Sequence, residues 1–112
     1  MSHLKHTSIV ITALPEALLK IRQKALIIFS KEVSAYASII GDIILSPEKT
    51  YATLVIGSDG YYKGSLDSRE LKELRNVFMD WMDENHILYN CNYINISFGG
   101  DDNSIKIIRQ SK

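Results

Sequence analysis

Cys91 is the only cysteine among 112 residues, so no disulfide can close within the chain and no thiol-based zinc spacing exists. A reducing compartment suits such a chain best, and a cytoplasmic protein is expected. Prolines number two and glycines six, which excludes collagen-like and linker compositions. Long apolar runs are missing as well. The longest is Ala25 to Phe29, far short of the roughly 20 residues that a membrane-spanning helix requires. The apolar stretch after Lys5 is cut at Pro15-Glu16, too early for a usual signal sequence. Net charge is absent too: 13 basic groups balance 13 acidic ones. With 46% hydrophobic residues, that balance excludes a disordered chain and points to one domain over 1–112. Residues 1–7, which include His3 and His6 outside any periodic pattern, are expected to form a flexible tail.

The zero net charge conceals an uneven distribution. Residues 66–104 carry three basic and eight acidic groups, whereas the final eight residues carry three basic groups and no acidic one. A nucleic-acid binder would show a basic balance or a basic stripe with interleaved aromatics. Here the basic cluster is limited to Lys20, Arg22, Lys24 and Lys31, so neither nucleic acid nor a membrane is an expected partner.

Periodicity supplies the elements. Ser8 to Leu14 is short, apolar and β-branched, which reads as a buried strand ending at Pro15. Pro15 suits the first turn of a helix and Glu16 complements its dipole. Leu18, Ile21, Ala25 and Phe29 then mark the buried side, opposite Glu16, Lys20, Gln23, Lys24 and Lys31, with Ile27 exposed. Ile39 to Leu45 and Tyr51 to Ile56 read as two strands of a hairpin about the turn Ser46-Pro47-Glu48-Lys49. Gly41 inside the first marks a bulge or a close backbone approach. After the polar loop with Tyr61, Tyr62 and Lys63, Asp67 and Glu70 have capping-box spacing, and Leu71, Leu74, Phe78 and Trp81 repeat at helical intervals. Trp81, if buried, should lose about 3 to 5 kcal/mol on truncation to alanine. Asn85 is expected to end this helix in the left-handed conformation. Asn92 to Phe98 alternates two faces, Ile105 to Arg109 is again β-branched, and Gly99 to Ser104 is the turn between them.

The order strand, helix, strand, strand, helix, strand, strand predicts an α+β chain. The specific expectation is a ferredoxin-like βαββαβ sandwich: two helices on one face of a mainly antiparallel sheet, with an added C-terminal edge strand.

Candidate chemistry is sparse. Phe98-Gly99-Gly100-Asp101-Asp102 resembles, over about five residues, the metal-binding hairpins of palm-type polymerases and diguanylate cyclases. Two-metal phosphoryl chemistry needs further carboxylates and a phosphate clamp, and no such groups accompany it. A small metal-dependent enzyme using Asp101, Asp102 and His86 is therefore only the third expectation. Cys91 and His86 lack an orienting third group, and neither a metal nor a cofactor is expected. On the second helix Glu73, Asp80 and Glu84 share one side, Glu70 and Asp83 widen the acidic zone, and Met79 is expected to lie on the outer surface among them. These residues, with Tyr61, Tyr62, Asp101 and Asp102, form the expected partner-binding set. They favour a non-catalytic intracellular binding module, of the inhibitor or immunity-antagonist kind, that covers a basic surface of a partner such as a nuclease. The alternative is a small-ligand or regulatory domain that pairs with itself through edge strands.

Overall fold

The computed structural model describes residues 5–57, 66–99 and 105–111. They form an α+β architecture with a five-stranded antiparallel sheet in the order β2-β3-β1-β4-β5. The strands are β1 (Lys5–Ala13), β2 (Ile44–Leu45), β3 (Ala52–Ile56), β4 (Asn92–Gly99) and β5 (Lys106–Gln110). The helices are α1 (Pro15–Ser30), α2 (Leu66–Glu84) and the single turn α3 (His86–Tyr89). No helix among the described residues is long and apolar enough to cross a membrane.

α1 starts where the sequence demands, with Pro15 in its first turn and Glu16 beside it. Leu18, Ile21, Ala25 and Phe29 are buried as expected, and Ile27 is exposed. α1 packs on β1 and β3, whose Ile9, Ile11, Leu54 and Ile56 are fully buried. Alternation along each strand therefore gives the sheet a helix-covered face and an opposite face that neither α1 nor α2 reaches. The β2–β3 hairpin forms, with Lys49 at positive φ in its turn.

The first strand is longer than its apolar core. Lys5, His6 and Thr7 were expected in a tail but belong to β1, because β4 is long enough to pair with them at Ser97 to Gly99. The His6 ring lies 5.2 Å from that of Phe98. The second strand is correspondingly shorter than Ile39 to Leu45. Ser34–Ile39 forms a 3-10 turn, Ile40 makes one bridge to Ile56, and only Ile44 and Leu45 remain as β2. Gly41 explains the break. Its amide donates to the Val55 carbonyl at 2.9 Å, and a Cβ at this position would stand 3.0 Å from that same oxygen, so the two backbones approach closely there. The Arg22 guanidinium donates to the Gly41 carbonyl from the other side.

α2 corrects the expected face. Leu71, Phe78, Met79 and Met82 are buried, whereas Leu74 and Trp81 are only half-buried. Met79 is thus a core residue and not part of an outer surface. The true stripe runs 71, 75, 78, 79, 82, and its second position is Arg75, itself buried. A charged residue in that place disguised the stripe in the sequence. The fold accepts it because the guanidinium donates to the Gly57 carbonyl at the end of β3. Trp81 instead stacks on Phe78 and meets Tyr89, with the Lys24 ammonium 5.9 Å from its ring centre. α2 begins at Leu66, which places Asp67 in its first turn, and Glu70 accepts a hydrogen bond from the Tyr36 hydroxyl. At the other end Asn85 is not left-handed. Its amide bonds back to Trp81 and Met82, the chain makes the turn α3, and Asn90 takes the left-handed conformation at φ 48°.

Candidate functional site

The acidic zone on α2 is largely engaged from within the fold. Arg109 on β5 directs one guanidinium nitrogen to Asp80 at 2.8 Å and to Asp83 at 2.7 Å. β4 adds Tyr93, whose hydroxyl donates to both oxygens of Asp83 at 3.0 and 3.1 Å. Register explains the meeting: Arg109 pairs with Asn95, so it shares the helix-covered face with Tyr93 and points back at α2. Asp80 is mostly exposed, but the Asp83 side chain is 11% exposed and closes the cluster. The expected partner-binding carboxylates therefore divide. Glu70 is held by Tyr36, Asp80 and Asp83 by Arg109, and Glu73 and Glu84 remain exposed on the outer side. Tyr61, Tyr62, Asp101 and Asp102 lie outside the described residues.

Burial and the hydrogen bond to Asp83 raise the Tyr93 phenol to about 12. Burial lowers the Arg109 guanidinium, but its bonds to Asp83 and Asp80 outweigh that effect and leave it above its ordinary value. The phenol shift gives a direct expectation. Between pH 10 and 12 the unfolded chain releases the Tyr93 proton while the folded chain retains it, so this contribution is whole below pH 10 and is lost as pH rises through 12. The loss should be on the order of 2 kcal/mol. Urea denaturation of the wild type and Tyr93→Phe at about pH 9 and about pH 12 checks it. Parallel pH profiles of the two proteins would reject the cluster as its source.

His86 and Cys91 do not form a nucleophilic pair. His86 is exposed on α3, with its Nδ1 bonded to the Asp83 carbonyl, whereas Cys91 is buried at the entry to β4. Burial pushes the Cys91 thiol up, opposed by a backbone hydrogen bond and aided by Asp83, which is the reverse of an activated thiolate. Among the described residues no group of three or more His, Cys, Asp or Glu is placed to hold a metal ion. A depression of about 400 Å³ at the β2–β3 turn, lined by Ser46, Pro47, Glu48, Thr50 and Tyr51, is open to solvent and offers one carboxylate.

The feature that sequence reasoning missed is the open face of the sheet. β4 alternates Asn92, Ile94, Ile96 and Phe98 with Tyr93, Asn95 and Ser97, and it is the second, more polar set that turns toward the helices and is buried. Among the described residues Asn95 Oδ1 and Ser97 Oγ have no hydrogen-bond partner. The apolar set faces outward. Pairing puts His6, Ser8, Val10 and Thr12 of β1, Thr53 and Val55 of β3, Ile107 and Gln110 of β5 and Ile44 of β2 on the same side. Phe98, Ile107 and Ile44 are exposed, and Val10, Val55, Ile94 and Ile96 are half-buried. None of the described strand residues that pairing places on this face is Lys, Arg, Asp or Glu. The signal was present in the alternation of β4, but alternation does not say which set lies inside.

Neither the known protein families nor the curated proteins contain a match to this chain.

Proposed function

We propose that this protein is a non-catalytic, intracellular protein-binding module that works through the open face of its sheet. One observation carries the reading: β4 hides Asn95 and Ser97, whose Oδ1 and Oγ find no hydrogen-bond partner among the described residues, while it displays Ile94, Ile96 and Phe98. A strand that served only its own core would do the reverse, since burying an unpartnered polar group costs roughly 1 to 3 kcal/mol. A contiguous apolar patch of this kind marks an interaction surface. Inhibitors and immunity-type antagonists are the class of such modules proposed here, with the acidic residues of α2 lying outside the sheet face. With Asp80 and Asp83 paired to Arg109, the attraction for a partner's basic surface falls to Glu73 and Glu84.

The ferredoxin-like reading of the sheet belongs to the same proposal. It is supported by β1 lying between β3 and β4, with α1 linking β1 to β2 across β3 and α2 linking β3 to β4 across β1. β5 departs from the four-strand pattern by extending the sheet beyond β4. A second reading, a regulatory domain that pairs through edge strands, draws on β5, where Ile105, Ile107 and Ile108 are exposed.

Affinity capture from the native host separates the surfaces. Thr12→Arg and Ile107→Glu alter exposed positions of the open face and should each abolish retention of the partner. The double reversal Glu73→Lys with Glu84→Lys should weaken it only modestly and mainly at low salt. Unchanged retention by both folded sheet-face variants would reject the open face as the binding surface.

A further inference from the structure

We infer that the occupant of the open sheet face is a second copy of this chain, packed face to face across a two-fold axis. The inference rests on the reading of that face as the binding surface and names its partner.

Charge is the first argument. A face on which the described strands place no Lys, Arg, Asp or Glu offers nothing to complement a basic or an acidic partner. Against itself it leaves no ion unpaired, which is the condition that an isologous contact imposes, because each residue there meets the same patch. The strand cations Lys106 and Arg109 pair with Ser97 and Asn95, so they stand on the helix-covered side and do not repel one another across such a contact.

Size is the second. The five strands together hold 29 residues. At about 3.4 Å per residue and about 4.8 Å between strands, their flat footprint is roughly 470 Å². Two such faces brought together remove about 940 Å² of flat area, and side-chain relief brings this to the roughly 1,000 Å² that a weak specific interface must clear. Val10, Ile94 and Ile96 occupy the long central strands, interspersed with the uncharged polar residues Ser8 and Gln110, while Thr12, Thr53 and Asn92 lie toward one end and His6 toward the other. Twisted sheets of this kind stack about 10 Å apart with strands near −30°.

Sedimentation velocity of the untagged chain from about 1 μM to about 1 mM tests the inference. The wild type should sediment with twice the mass of the chain. Thr12→Arg and Ile107→Glu should each raise the dimer dissociation constant by about 100-fold or more, because each buries an unpaired charge in the contact. Both positions are exposed, so circular dichroism and thermal melting should show a retained fold. Should either variant unfold, Ile44→Lys on the exposed β2 replaces it with the same expected outcome. A wild type that stays monomeric throughout the range overturns the second copy. If Thr12→Arg then still abolishes partner capture, the open face survives as a binding surface for another protein. A dimer that both variants leave intact overturns the inference, and unchanged capture alongside it overturns the reading of the face as well.

Discussion

Phe78→Ala should destabilise the protein by about 3 to 5 kcal/mol, among the largest effects expected of a single truncation in the described core. Phe78 is fully buried at the middle of α2. Its ring meets Phe29 of α1 edge-on at 6.0 Å and stacks on Trp81 at 6.2 Å, so it joins the two helices to each other. Removing it forfeits the apolar transfer energy and leaves a cavity between α1 and α2 that backbone shifts fill only partly. Since total stability of a domain this size is about 5 to 15 kcal/mol, the variant should melt well over 10 °C lower or fail to fold at 37 °C. Trp81→Ala is the control. Trp81 is half-buried, with Lys24 over its ring, so it should lose about 1 to 2 kcal/mol, below the value that full burial implied. Urea denaturation of both variants ranks them, and a larger loss at Trp81 than at Phe78 would show that the packing of α2 has been misassigned.

Asp83→Ala should follow, with a loss of about 2 to 4 kcal/mol. Asp83 accepts from Tyr93 and Arg109 at once, and its side chain is 11% exposed. Truncation leaves the Tyr93 hydroxyl without that acceptor in a buried position and leaves Arg109 with Asp80 alone. Arg109 retains partial access to water, which holds the figure below that of a fully buried pair. Asp80→Ala removes only the more exposed partner and should cost less than about 1 kcal/mol. A double-mutant cycle of Asp83→Ala with Tyr93→Phe should show coupling of about 1 kcal/mol or more. Equal losses from Asp80→Ala and Asp83→Ala would remove the physical basis for treating the cluster as a clasp between α2 and the last two strands.

The contrast between the two carboxylates bears on function. Glu70, Glu73, Asp80, Asp83 and Glu84 on one helix resemble a docking surface when only the helix is considered. Charge in a folded protein is shared across elements, however, and Arg109 stands 29 residues away from Asp80 in the chain. Once β5 is laid beside β4, the cation reaches both carboxylates, and the long-range field of α2 is reduced accordingly. Apolar residues cannot be neutralised in this way, and for that reason the open sheet face is the stronger indication of a partner.

Local chemistry was legible wherever it was self-contained. Pro15 and Glu16 mark the start of α1, Leu18 to Phe29 its buried side, Ser46 to Lys49 the hairpin turn, and Gly41 the close approach of two backbones; each follows from dihedral limits or from a period within one segment. The order of the five strands and the two long helices follows likewise, whereas the 3-10 turn Ser34–Ile39 and the single turn α3 were not expected. Partners distant in the chain decided the rest. β1 gained Lys5 to Thr7 because β4 was there to pair with them. Arg75 took a core position because the Gly57 carbonyl could receive it, and Met79 moved inside with it. β4 presented two alternating sets of side chains that the sequence leaves equivalent, and only the placement of α2, secured by Asp83 on Tyr93, determined which set was buried. Periodicity defines faces, but the free energy that assigns a face to the interior belongs to contacts between segments far apart in the chain.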